Sequence, residues 1–556
     1  MTLNKQQFLA LFTPLILIVP NVALNFTDHL PVMTSLVNII LPLGIYITVT
    51  TSFSRIGVTV WCLLPIMIFC GFQIVLLYLY GCSIIGVDMF LNVVTSNPDE
   101  ISELLGNLII AISSLVVIYI PFLVIATICI CKGLMLTADF IKPWRNVGLA
   151  VTALGTVLLF LTYTVTPSFA VTNDIFPANV TKNLCLAFQR HAQISNYPET
   201  SARFTYNAIS THPDSIPEIY VYVIGETSRA QNWQLLGYDR DTNPELSKAE
   251  NLTVFTRAIT QSATTHKSVP MLLSPLTAED FDSISNRKSI ITAFREAGFY
   301  TSFLSNQRRN RSYTEYFGNE ADTVVYLPDS ASSQQYDGEL ITLLNTLIAN
   351  HRHPKQFIVL HTYGSHFNYS ERYPRSFAHF KPDDKTDANA SDRPQLINAY
   401  DNTIRYIDSY IKQAIDTLQA SHITSALIYA SDHGEDIFDD SRNRFLHASP
   451  VPTYYQLRVP FIVWLSNAYI SQFPEKYETM QANSQAIVSP SISLYNTTID
   501  LAGISTPYFN QSASVSSTNF KSPTLFYLSD RNEPILMDST TLHRLDYNLL
   551  KNTINH

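Results

Sequence analysis

Five apolar stretches in the first third of the chain limit what it can fold into. A helix needs roughly 20 residues to cross a bilayer. The runs near Phe8–Leu24, Met33–Thr50, Val58–Tyr80, Leu104–Ile130 and Val147–Val165 are all of that order. The first carries no small-residue cleavage site and four more follow it, so it reads as a retained helix and not as a removable leader. Charged residues are only 15% of the 556, and the shortage is concentrated in this part. A net charge of −9 gives no footing for nucleic acid.

Lys and Arg set the expected orientation. Lys5 precedes the first run, Arg55 lies between the second and third, and Lys132, Lys142 and Arg145 lie between the fourth and fifth. The other two loops, 25–31 and 81–103, hold Asp28, Asp88, Asp99, Glu100 and Glu103 and no Lys or Arg. The N-terminus is therefore expected on the cytoplasmic side of a bacterial inner membrane, with everything after the fifth helix in the periplasm. Residues 1–165 form the expected transmembrane domain. Residues 166–217 read as a connector rich in Thr, Asn, Ser and Pro. Its amphipathic piece at Leu184–Phe188 either lies along the membrane surface or is one short helix in a plain linker.

From Ile219 the pattern changes to alternating strands and helices. Strands are expected at Ile219–Ile224, Tyr300–Leu304, Phe357–His361, Ser425–Tyr429 and Phe461–Leu465, and helices at Ser289–Ala297, Gly338–Asn350 and Pro394–Leu418. Such alternation predicts an α/β domain over 218–556, with a mostly parallel sheet covered by helices on both faces. All six cysteines lie at or before Cys185, so this domain has neither an internal disulfide nor a cysteine metal site.

Two strand ends carry the chemistry. Val223-Ile-Gly-Glu-Thr-Ser-Arg229 puts Glu226 just past the first strand, and Ser431-Asp-His-Gly-Glu435 puts Asp432 and His433 past another. Ligands in open α/β sheets sit outside the carboxyl ends of strands. Two carboxylates and an imidazole suit zinc. Between them, Ser262-Ala-Thr-Thr-His-Lys-Ser-Val-Pro270 offers two adjacent hydroxyls, Thr264 and Thr265, either of which a metal could activate as a nucleophile. His366, after the Phe357–His361 strand, and His447 could donate to a phosphoryl oxygen, protonate a leaving group or bind a second metal. His361, ending its strand, reads as packed.

Together with Gly364-Ser-His366 and Tyr400-Asp-Asn402, these motifs resemble the bacterial phosphoethanolamine transferases, which modify lipid A and include the mobile colistin-resistance enzymes. The resemblance covers almost the whole chain and implies an alkaline phosphatase/sulfatase-like catalytic domain behind a five-helix anchor. It implies zinc on Glu226, Thr265, Asp432 and His433, with Thr265 the nucleophile and Thr264 its neighbour. His366 and His447 match the histidines that contact the phosphoryl group or a second zinc. Asn92, Ser96 and Glu100 match a pattern that binds the donor head group, Ser96 standing where the family has Thr. Arg308 and Arg311 fall loosely where the family has substrate contacts. The expected donor is phosphatidylethanolamine. The expected acceptor is a lipid A phosphate, with a core sugar or periplasmic glucan as alternatives, and polymyxin resistance follows only for lipid A. A monomer is expected. A membrane-anchored glycerol-phosphate transferase or a sulfatase-like hydrolase would share this layout. The chain departs from the lipid A enzymes at Gln261-Ser262, where they often carry Cys-Gly, and in lacking their catalytic-domain disulfides.

Overall fold

The computed structural model describes residues 3–27, 30–80, 84–95, 109–166, 169–330, 335–350, 353–385 and 389–555, without the side chains at 78–80, 92–95, 109–111 and 330. The chain divides into two compact units. One comprises residues 1–93, 104–189 and 442–444, and the other residues 94–103, 190–441 and 445–556.

The first unit is helical. Among the described residues, four helices or helix pairs are long and apolar enough to cross a membrane: Lys5–Thr27, Val32–Ser52, Ile112–Cys131 and Ala138–Val165. A fifth forms if Ile56–Cys62 and Leu64–Leu77, bent by 51° at their junction, count as one span. The sequence pattern did not show that bend. It also placed the last helix nine residues late, because the polar first turns around Asp139, Lys142 and Arg145 do not look apolar. Small residues let Val32–Ser52 and Ala138–Val165 approach closely. A Cβ on Gly44 would lie 2.5 Å from the Thr152 backbone nitrogen, and one on Gly155 2.6 Å from Leu41 Cα. Close backbone approach at small residues is how helices gain dispersion contacts where no hydrophobic effect drives them together. Asn21 and Asn38 are buried in the same unit. The Asn21 amide donates to Asn38 O and Phe176 O, both at 2.8 Å, and Phe176 N donates to Asn38 Oδ1 at 3.1 Å. This network ties the segment after the last span back onto the helices. The connector is less loose than its composition suggested, since Ala178–Ser195 is an 18-residue helix with Phe188 exposed.

The second unit is built on a seven-stranded sheet. In chain order its strands are β1 (Glu218–Gly225), β2 (Leu252–Val254), β3 (Tyr300–Ser305), β4 (Thr323–Tyr326), β5 (Lys355–His361), β6 (Thr424–Ser431) and β7 (Phe461–Leu465). Their spatial order is β2-β7-β6-β1-β5-β3-β4. The five from β6 to β4 are parallel, while β7 runs antiparallel to both β6 and β2. All five strands expected from the sequence are present. The two not expected, β2 and β4, are the short edge strands.

Side chains alternate across the central strand, as the two-residue period of a strand requires. Tyr220, Tyr222 and Ile224 face one core, shared with helices Thr265–Leu272, Ile290–Glu296 and Pro490–Leu501. Ile219, Val221 and Val223 face the other, shared with Gly338–Ala349 and Arg393–Ala420. Burial on both faces explains why these strands are continuous apolar runs. Because β6, β1, β5 and β3 are parallel, their carboxyl ends open on one edge. The residues that follow them, Asp432, Glu226, Thr362 and Asn306, are thereby brought together.

Candidate active site at the strand ends

Glu226 and Asp432 are held by the backbone of each other's strand. Asp432 N donates to Gly225 O at 3.0 Å. Thr227 N, in a left-handed residue with φ +58, returns a bond to Asp432 Oδ1 at 3.0 Å. His433 N donates to the same oxygen at 2.7 Å. Arg229, buried, pins the two motifs further. It donates to Asn232 Oδ1, Glu435 O and Asp439 Oδ2 at 2.6, 3.1 and 2.5 Å. Gly434 has to be glycine beneath it, since a Cβ there would lie 2.3 Å from Tyr455 O and 2.6 Å from Arg229 Cβ. Gly364, at φ +55, packs against the other side, where a Cβ would lie 2.4 Å from Glu226 O. Asp337 holds that loop by accepting from Tyr363 N and Gly364 N at 2.8 and 2.9 Å.

Thr265 is the first residue of helix Thr265–Leu272, so its hydroxyl stands at the positive end of the helix dipole. That hydroxyl donates to Glu226 Oε1 at 3.1 Å and lies 3.1 Å from His433 Nε2. Thr264 turns away, and its hydroxyl pairs with Ser262 Oγ at 3.1 Å.

Lone pairs converge here without enough protons to share. His433 Nδ1 is 2.9 Å from Gly434 O, a carbonyl that can only accept, so Nδ1 carries the hydrogen and Nε2 the lone pair. Nε2 faces Asp432 Oδ2 at 3.3 Å and Glu226 Oε1 at 3.6 Å. Asp432 Oδ2 is buried without a hydrogen bond, the nearby Thr265 hydroxyl being given to Glu226. Burial pushes both Glu226 and Asp432 above the usual carboxylate range, Asp432 also through its neighbour Glu226, and burial pushes His433 well below the usual imidazole value. Acceptor atoms from Glu226, Asp432 and His433 all lie within 4.8 Å of one another. Buried acceptors facing one another are costly unless a cation sits among them. The chemistry of the donor set therefore fits a divalent metal.

The two further histidines reach the same place. The His447 ring lies 4.3 Å from that of His433 and 6.0 Å from that of His366, centroid to centroid. His366 Nδ1 donates to Phe367 O at 2.6 Å. His447 Nδ1 lies 3.2 Å from Glu435 Oε2. Burial lowers His447 to about 4 and raises Glu435 to about 8. His361 is packed as expected, its Nδ1 3.0 Å from Ser305 Oγ.

Arg308 and Arg311 are exposed, and Gln307, next to Arg308 in the chain, donates to Glu226 Oε2 at 3.3 Å and Thr362 O at 2.8 Å. Gln307 follows the end of β3, and that position was the one available signal for it. The side chain of Asn92, in helix Val87–Thr95, and all of Ser96 and Glu100 lie outside the described residues.

The sulfatase family model matches residues 218–504, the stretch that contains every member of this cluster. The chain belongs to the sulfatase family. Among curated relatives, the Kdo(2)-lipid A phosphoethanolamine 7''-transferase of Escherichia coli K12 is 30% identical over 318 residues, 55% of this chain and 54% of its own. The chain thus spans about half the length of the curated relatives it matches. Among solved structures, the zinc complex of the C-terminal periplasmic domain of EptC from Escherichia coli is 26% identical, with a TM-score of 0.54 over 61% of this chain and 98% of that domain. The integral membrane phosphoethanolamine transferase EptA from Neisseria meningitidis covers 93% of this chain and 99% of its own at TM-score 0.72 and 20% identity. That likeness extends the shared fold from the sulfatase domain across the apolar helices.

Proposed function

We propose that this protein is a zinc-dependent phosphoethanolamine transferase that acts on a cell-envelope acceptor, with Thr265 as nucleophile. The observation that carries the proposal is the Thr265 hydroxyl, 3.1 Å from both Glu226 Oε1 and His433 Nε2 at a helix N-terminus. The names of the relatives supply the transferred group. Zinc held by Glu226, Asp432, His433 and the Thr265 oxygen would supply the Lewis acidity that makes an alkoxide available near neutral pH.

Thr265 Oγ1 then attacks the phosphorus of phosphatidylethanolamine. The bond to the glycerol oxygen breaks, and diacylglycerol leaves with the proton that Thr265 gave up, relayed by His447. A phosphoethanolamine ester of Thr265 remains. The acceptor, a lipid A phosphate, attacks this ester in the second step through a P–OH oxygen, and the proton of that hydroxyl passes back to the released Thr265 oxygen. Oxygen displacement of this kind depends on positioning and charge stabilisation, which the helix N-terminus and His366 provide. Asn92, Ser96 and Glu100 are assigned to the donor's ammonium end. Residues 1–165 are assigned to the inner membrane with 218–556 in the periplasm, and anchoring the domain there raises the local concentration of two lipid substrates.

The test is intact-protein mass after incubation with phosphatidylethanolamine and no acceptor. A phosphoethanolamine-sized increment is expected on the wild type and not on Thr265→Ala. A zinc-loaded wild type that gains no mass and releases no diacylglycerol overturns the donor assignment.

A further inference from the structure

Glu435 is buried two residues beyond His433, and it lies outside the group of ligand atoms that converge on the metal position. Both its oxygens are engaged elsewhere. Oε1 accepts a short hydrogen bond from the hydroxyl of Tyr369, which is itself 1% exposed, and Oε2 lies 3.2 Å from His447 Nδ1. A carboxylate is a costly way to fill a core when Leu or Met would pack there without desolvation. Its burial needs a reason besides packing.

The surroundings of His447 supply one. The residues on either side of it, Leu446 and Ala448, both stand at positive φ, +67 and +65. Two flanking residues outside the usual region are held there only by their contacts. One such contact is Ala448 N donating to Ala263 O at 3.0 Å, which fastens the segment to the loop just before Thr265. The backbone thus carries His447 to the nucleophile, but it does not fix the ring. Rotation about the side chain would exchange which nitrogen faces inward.

We propose that Glu435 is the positioning residue for His447, and that Tyr369 in turn fixes Glu435. Anchoring Nδ1 on Oε2 fixes which edge of the ring carries Nε2, in a ring 4.3 Å from that of His433, whose Nε2 lies 3.1 Å from the Thr265 hydroxyl. Tyr369 is itself fixed. Its ring packs edge-on against Tyr400 at 5.1 Å, and the Tyr400 hydroxyl bridges Thr227 O and Arg229 N at 2.7 and 2.8 Å. The chain of contacts therefore runs from the strand end that carries Glu226 to the ring of His447 without passing through the metal position. The proposal deepens the transferase reading and rests on it for the identity of the leaving group.

A double-mutant cycle tests it in the full-length enzyme in detergent micelles, using fluorescent phosphatidylethanolamine as donor and diacylglycerol release as readout. Glu435→Gln is expected to lower kcat about 10–100-fold, the range found when the partner of a functional histidine is altered, with KM and zinc content unchanged. In a His447→Gln background the same change is expected to cost nothing more. Tyr369→Phe should show a smaller loss in kcat, which also vanishes in that background. Penalties that multiply, or zinc lost from Glu435→Gln, overturn the proposal, because either would mean that Glu435 acts on something other than His447. A zinc-loaded wild type that releases no diacylglycerol defeats the donor reading instead. The cycle is then read on bis(p-nitrophenyl) phosphate, which assumes no donor. There too, a penalty that vanishes in the His447→Gln background supports the positioning role, and penalties that multiply overturn it.

Discussion

Gly364 shows how little room the cluster allows at the level of single residues. Its positive φ and the 2.4 Å a Cβ would leave to Glu226 O mean that any side chain there must move the strand end that carries Glu226. Gly364→Ala is therefore expected to lower zinc content per chain, measured by elemental analysis, and to cut transfer at least tenfold while the protein still folds. A side chain more than about 1 Å out of place costs such sites heavily. Glu226, Asp432 and His433, the group that could hold a metal ion, were legible in the sequence because they follow strand ends, and strand ends can be read from apolar runs. Gln307, Tyr369 and Gly364 were not. Their roles come from contacts between segments far apart in the chain or from backbone angles, and no local pattern encodes those. Glu435 lay inside a motif read for its neighbours, and only the structure shows that its partners are Tyr369 and His447.

Among elements, strand legibility followed burial. β1, β5 and β6 are buried on both faces and stand out as runs of Val, Ile, Leu and Tyr, whereas β2 and β4 are edge strands of three and four residues with Thr among them. The apolar helices were legible by composition, but their mutual packing was not. Gly44 meets Thr152 so closely that Gly44→Val must part helices Val32–Ser52 and Ala138–Val165. The expected cost is about 1–3 kcal/mol, seen as a lower thermal midpoint in detergent. The tie between the two ligand-bearing motifs can be tested by pH. Asp439 accepts from Arg229 at 2.5 Å and from Arg393 at 3.0 Å, and the Arg229 charge, working against burial, holds its carboxyl below the usual value. A depressed folded-state pKa contributes stability above the unfolded value that is lost as pH falls through the folded one. Asp439→Asn is expected to cost about 3 kcal/mol near neutral pH, since it leaves a buried Arg229 without its counter-charge. The gap between wild type and variant, followed by denaturant unfolding, should close as the pH drops below about 4.

For the molecule as a whole, the metal position makes stability depend on what is bound. Glu226, Asp432 and His433 come from strand ends that are adjacent only in the folded state, so an ion held there favours folded over unfolded chain. At a free zinc concentration about 100 times its dissociation constant, the expected gain is about 2.7 kcal/mol. Chelation should lower the melting temperature of the sheet-bearing unit, followed by near-ultraviolet circular dichroism, and added zinc should restore it. Thr265→Ala, which removes one of four proposed ligands, should show a smaller shift.

All six cysteines lie at or before Cys185, and the five among the described residues are unpaired. The unit that carries the chemistry contains no sulfur that can be oxidised to a crosslink, so no disulfide contributes to its rigidity. A millimolar phosphine reductant, which breaks disulfides without a thiol to bind zinc, should leave its melting temperature unchanged. The maturation of this half of the protein is thereby uncoupled from the thiol-oxidising machinery of the cell. A host stripped of that machinery would be expected to make the protein as well as one that has it.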